Sequence, residues 1–196
     1  MKSLIALMFL SFSALAVNPG DKAPNFTLKS HSGKEISLED FKGNYVVLEW
    51  YNSGCPYVRK HYDSGNMQTT QKAYQANEKV TWLTIVSSAE GKQGYLADAK
   101  AAMEQYNSEK MGSNYLLLDP TGEVGQAYKA KTTPHIFIID PDLNLSYVGA
   151  MDSDSSYKQS AIKGATNYVT SSLSKMMLGE KPDPAKTKPY GCSVKY

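Results

Sequence analysis

From residue 20 onward, apolar and polar positions fall into short blocks whose period changes in a regular order. Phe26-Thr27-Leu28 and the stretch from Glu35 to Leu38, separated by Ser32-Gly33-Lys34, predict a small hairpin at one end of a sheet. Tyr45-Val46-Val47-Leu48-Glu49-Trp50 is a β-branched and aromatic run of strand length, followed by the small loop Asn52-Ser53-Gly54 and then Cys55-Pro56. Pro56 suits a first helical turn, where the amide it lacks would have had no intrahelical partner. A helix is therefore expected from Pro56 through Ala73, bent or broken at Ser64-Gly65-Asn66. Thr81 to Val86 predicts a second buried strand. Leu96, Ala99, Met103 and Tyr106 recur at helical spacing, Tyr115 to Leu118 predicts a third strand, and Val124, Ala127 and Tyr128 share one face of a short helix.

Beyond Pro134 the order changes. Strands from His135 to Ile139 and from Leu145 to Val148 are joined by five residues, too few for anything but an antiparallel hairpin. Ile162, Ala165, Val169, Leu173 and Met176 then form the apolar face of one final helix that stops at Gly179. Asp152 and Asp154 lie in a Ser-rich stretch and read as turn residues. Residues 180–196 hold three prolines and four lysines without apolar periodicity, and read as a flexible tail that carries Cys192. A β-α-β unit followed by β-β-α predicts an α/β domain, one mixed sheet with helices on both faces and the small hairpin added at its N-terminal end.

A chain of 196 residues, 41% hydrophobic and 20% charged, is sized for a single globular domain. Its formal charge of +2 is spread without basic blocks, which excludes a nucleic-acid partner. Lys2, the apolar run from Leu4 to Leu10 and Ala14-Leu15-Ala16 read as a signal peptide cut before Val17, so that residues 1–16 are a leader and 17–179 the domain. The apolar run falls short of the ~20 residues that cross a bilayer. A periplasmic or secreted protein, free of the membrane after cleavage, is the expectation. No Gly-rich phosphate loop, HExxH or zinc-spaced Cys/His set is present, so neither cofactor nor metal is expected.

The candidate chemistry centres on cysteine. Cys55 sits where a strand becomes a helix, so its sulfur faces first-turn amides and the positive end of the helix dipole, which favour thiolate. The small loop before it and Pro56 after it leave the sulfur open to approach. Arg59, one turn on, is the single arginine of the sequence, and its side chain is expected to lean back toward the sulfur. Cys192 is the other thiol. Oxidising surroundings allow a fixed staple between the two, or pairing between chains, as well as a reactive pair. His135 is a candidate proton carrier but more ordinarily a packed strand residue; His61 and His31 have weaker cases. Trp50, Tyr51 and Tyr57 surround the loop and are expected to pack around the site, with Trp50 and Tyr51 placed to line it toward substrate.

Several segments resemble known proteins. Leu48-Glu49-Trp50-Tyr51-Asn52-Ser53-Gly54-Cys55-Pro56-Tyr57-Val58 is similar to the active-site segment of thioredoxin-like proteins, and Gly20-Asp21-Lys22-Ala23-Pro24-Asn25-Phe26 to the opening of the redoxin group (alkyl hydroperoxide reductase and thiol-specific antioxidant). Thr133-Pro134 resembles the Thr–cis-Pro pair that faces the active cysteine in that superfamily, and Pro189-Tyr190-Gly191-Cys192-Ser193-Val194-Lys195-Tyr196 the end of a secreted, peroxiredoxin-like subgroup. The resemblance implies a thioredoxin-like fold with Thr133 and Pro134 beside Cys55. It also implies thiol redox chemistry, in which Cys55 attacks a hydroperoxide, Cys192 resolves the sulfenic acid, Asn52 and Arg59 stabilise the charge, and an external dithiol such as a thioredoxin-like protein recycles the enzyme. A disulfide substrate is the alternative, and a non-catalytic binding module with a structural Cys55–Cys192 disulfide a third. Two departures stand out. Val58 occupies the second position of a CxxC pair, and Asn52 and Leu48 replace the Thr or Ser and the Pro that peroxiredoxins place three and seven residues before the cysteine. With no local partner, Cys55 is left with Cys192, which 13 extended residues from Gly179 bring within roughly 43 Å of reach.

Overall fold

The computed structural model describes residues 17–196; the expected leader, 1–16, lies outside them. The N-terminal hairpin pairs β1 (Thr27–Ser30) with β2 (Glu35–Ser37) and joins the sheet edge-on through β5 (Tyr115–Leu118). At the centre, β3 (Tyr45–Trp50) runs parallel to β4 (Val80–Val86), and β4 parallel to β5. On the other side of β3, β7 (His135–Ile139) and β8 (Leu145–Gly149) add the expected antiparallel hairpin. Among the described residues the sheet order is β2-β1-β5-β4-β3-β7-β8.

β3 explains why a continuous apolar run was needed: both of its faces are covered. Val47 and Tyr51 enter the core shared with α1 (Pro56–Asp63), α2 (Asn66–Gln75), α3 (Ala99–Ser108) and α5 (Tyr168–Met177). Val46, Leu48 and Trp50 enter the opposite core, which α4 (Glu123–Ala127) and the N-terminal segment close through Val124, Phe26 and Leu38. Burial of side chains such as Val47 and Leu48 contributes roughly 1.5–3 kcal/mol each. The expected break between the first two helices falls at Gly65, whose φ of +74° ends the first.

Two expectations are corrected. The final helix does not begin near Ile162: residues 159–164 form a 3-10 turn, and α5 starts at Tyr168, where the Asn167 side chain accepts a hydrogen bond from the Thr170 amide at 3.0 Å. Nor does the C-terminal segment stand free of the domain. Ala185 and Thr187 bond the edge strand β8 at Val148, and β9 (Cys192–Ser193) pairs antiparallel with β6 (Thr132–Thr133), placing Cys192 opposite Thr133. Val194 and Lys195 continue the attachment to Lys131 and Ala89, and the Tyr196 hydroxyl donates to the Ala130 carbonyl at 2.9 Å. Tyr196 lies on α4, where a Cβ at Gly125 would collide with its ring.

Candidate active site

Cys55 caps the start of α1 with extended backbone, and its carbonyl takes the first helical hydrogen bond from Arg59. The Thr133–Pro134 peptide bond is cis, and the Thr133 carbonyl accepts a hydrogen bond from the Cys55 thiol at 3.0 Å. The strand that carries Cys192 pairs with Thr133 and brings the second thiol against the first. Gly191 permits this approach: at φ +138°, its added Cβ would overlap the Thr133 carbonyl. Both cysteines are unbridged, and Cys55 is completely buried, at 0% exposure. That corrects the expectation of an open sulfur, because the docked tail supplies the bulk that covers it.

The two thiols are unequal. Burial pushes the Cys55 thiol up, but donors outweigh it: the Cys192 thiol, the Thr133 hydroxyl, and the backbone amides of Cys192 and Val58 leave its pKa below the ordinary value. Among the described residues the buried Thr133 hydroxyl makes no hydrogen bond in the dithiol state, so it is free to donate once the sulfur ionises. Cys192 moves the other way, to about 11, through burial and the neighbouring Cys55 sulfur. Cys55 is therefore the more acidic thiol of the pair and Cys192 the less acidic one.

The remaining sequence candidates are placed differently from one another. The Asn52 side chain accepts from the Gly54 amide at 2.9 Å and donates to the Gln93 carbonyl at 2.8 Å; it builds the loop before Cys55. Arg59 does not lean toward the sulfur. Its guanidinium binds Glu109, just past the C-terminal end of α3, at 2.8 Å and Asp63 at 3.3 Å, because those carboxylates flank the outer face of α1. Trp50 is buried with its indole donating to Ser87, and Tyr51 is buried with its hydroxyl donating to Glu109, so neither lines a surface that substrate can reach. His135 is buried, its Nδ1 accepting from the Lys131 amide, and desolvation lowers its pKa to about 3, so the ring stays uncharged near neutral pH.

Sequence reasoning passed over a buried polar cluster. Asp152, read as a turn residue, is buried and paired with the fully buried Lys60 at 2.9 Å, and both contact the hydroxyl of Tyr190 in the tail. Glu49 was also passed over, although a lone charge inside a buried strand was its signal. It accepts from Tyr62, Gln71, Trp82 and Thr84, and burial raises its pKa to about 7.

Residues 19–148 match the AhpC/TSA family. The thiol-disulfide oxidoreductase ResA of Bacillus subtilis is 28% identical over 132 residues, which cover 65% of this chain and 64% of ResA's length. An uncharacterized conserved protein from Geobacillus kaustophilus superposes with a TM-score of 0.74 at 24% identity, covering 92% of this chain and 93% of that one. A thiol:disulfide interchange protein from Bacteroides sp. superposes at 0.51 with 25% identity, over 67% of this chain and 80% of its own. No helix among the described residues is long and apolar enough to cross a membrane.

Proposed function

We propose that this chain, which belongs to the AhpC/TSA family and is a thioredoxin-like thiol oxidoreductase, exchanges disulfides through the single redox pair Cys55–Cys192. The observation that carries the reading is the meeting of two distant thiols of unequal acidity at the Thr133 carbonyl. Residues 190–193 lift to admit a substrate disulfide. The Cys55 thiolate attacks one of its sulfurs, forming a mixed disulfide, and the other substrate sulfur leaves and takes up a proton. Cys192 then gives up its proton and attacks the Cys55 sulfur. The second substrate thiol departs, and the two electrons gained by the substrate are those lost by the pair. An external dithiol, of the thioredoxin-like kind, reverses the sequence. The likeness to ResA, a thiol-disulfide oxidoreductase, and to the thiol:disulfide interchange protein supports a disulfide as substrate. The apolar run behind Lys2 supports a site of action outside the cytoplasm.

A hydroperoxide is the second reading, favoured by one observation: the free Thr133 hydroxyl next to the sulfur can donate to an attacked oxygen. Cys55 would then take one oxygen as a sulfenic acid, releasing water or an alcohol, and Cys192 would condense with it and release water. The side chains of Asn52 and Arg59 are committed elsewhere, which weighs against this reaction as the principal one.

Incubating the reduced protein with insulin and counting the thiols released tests the proposal. Wild type should release two thiols per molecule, Cys55→Ser none, and Cys192→Ser should accumulate a mixed disulfide at Cys55. An inert Cys55, or a faster reaction with one equivalent of peroxide that leaves insulin intact, overturns it.

A further inference from the structure

The tail approaches Cys55 through Tyr190, two residues before Cys192. Its ring packs on Tyr57 of α1 with centroids 5.8 Å apart, and the Lys60 ammonium lies 5.2 Å from the ring centre. Its hydroxyl donates to Asp152 Oδ1 and accepts from Lys60 Nζ at 3.4 Å. Lys60 is itself held by Asp152 and by the Asp154 carbonyl at 2.7 Å. His61 completes the grip from the same helix. Asn66 Nδ2 donates to its Nδ1 at 2.9 Å, which leaves the ring proton on Nε2 to donate to the Tyr190 oxygen at 3.1 Å. Lys60, His61 and Asp152 are all buried.

We infer that Tyr190 is a positioning residue for the redox pair: the Lys60–Asp152 pair and His61 clasp its phenol and thereby set Cys192 against Cys55. The inference rests on the reading of Cys55 and Cys192 as that pair. Tyr57, Lys60 and His61 belong to the helix that Cys55 caps, so the clasp fixes Cys192 relative to the element that presents Cys55. Gly191 and one strand register then leave little freedom between phenol and thiol. A polar clasp suits a part that must open. A buried ion pair adds little net stability once its desolvation is counted, and water resolvates Lys60 and Asp152 once the phenol leaves. An apolar plug of equal size would resist release. On the far side of Cys192, the Val194, Lys195 and Tyr196 attachments keep the tail tethered while the Tyr190 side lifts.

Tyr190→Phe removes the hydroxyl and keeps the ring, and two measurements read the result. In a Cys192→Ser background, iodoacetamide should alkylate Cys55 about tenfold faster when Tyr190→Phe is added than when Tyr190 is intact, since hydrogen bonds to charged groups no longer hold the cover shut. This arm needs no disulfide chemistry, so it judges the clasp even if the proposed activity fails. With both cysteines present, the equilibrium constant for closing Cys55–Cys192 against glutathione should fall about tenfold, a shift of about 30 mV toward a more oxidising couple. A change of fold stability alone would lower the melting temperature and leave that equilibrium in place. Unchanged alkylation, or faster alkylation with an unmoved equilibrium, overturns the positioning role.

Discussion

Cys55 donates its thiol hydrogen bond to the carbonyl of Thr133, the residue that pairs in register with Cys192. One backbone unit thus holds both halves of the proposed redox pair, although they lie 137 positions apart in sequence. The asymmetry of the two thiols follows from that placement, and it can be taken apart residue by residue.

Cys192→Ala removes a donor that lowers the Cys55 pKa. The rate of Cys55 alkylation against pH should keep its shape while its midpoint moves to higher pH. A midpoint that stays put would mean that Cys192 does not stabilise the thiolate.

Thr133→Val deletes the hydroxyl and preserves the shape. Because that hydroxyl is buried with no partner among the described residues in the dithiol state, its removal should not lower stability and should raise it by up to roughly 3 kcal/mol. The alkylation midpoint should again move upward, because the thiolate loses a donor. Thermal unfolding and the pH–rate profile, measured on one preparation, separate the two effects.

Arg59→Lys should do the reverse. Loss of the guanidinium's bridge between Glu109 and Asp63 costs about 1 kcal/mol of stability, while the Cys55 profile stays where it is, because those two carboxylates hold the guanidinium. Movement of the Cys55 midpoint in this variant would show that Arg59 serves the sulfur after all.

Glu49 makes stability depend on pH. Its folded pKa is raised to about 7 from 4.5, so between those values the folded state holds a proton that the unfolded state has released. Stability should therefore fall as pH rises from 4.5 toward 7, by on the order of 3 kcal/mol, and stay low above that. Glu49→Gln should flatten this dependence, and chemical unfolding at about pH 5 and about pH 8, on either side of the raised value, measures it.

The sheet was legible because β3, β4, β5 and β7 are buried runs with turn residues at their ends, and because the link between β7 and β8 is short. Cys55 was legible from its place between a strand and Pro56. The start of α5 was misplaced because Ile162 and Ala165 continue the helical spacing by coincidence, whereas the capping bond from Asn167 decides where the helix begins. The tail was misread for a different reason: it docks through single residues, Thr187, Tyr190 and Tyr196, and through backbone pairing, none of which leaves a periodic trace. Burial of Cys55 is a consequence of that docking, so it could not be read locally. Asp152 was hidden by its serine neighbours, since only the fold shows Lys60 opposite it.

The most direct test is to equilibrate the full protein across a series of glutathione redox buffers, quench with acid and follow the Cys55 and Cys192 peptides by mass. One two-electron transition, in which both peptides lose their free thiols together and appear joined, is the predicted result. Separate glutathione adducts on each cysteine, or a bridge that no buffer opens, would contradict a shared and working redox pair.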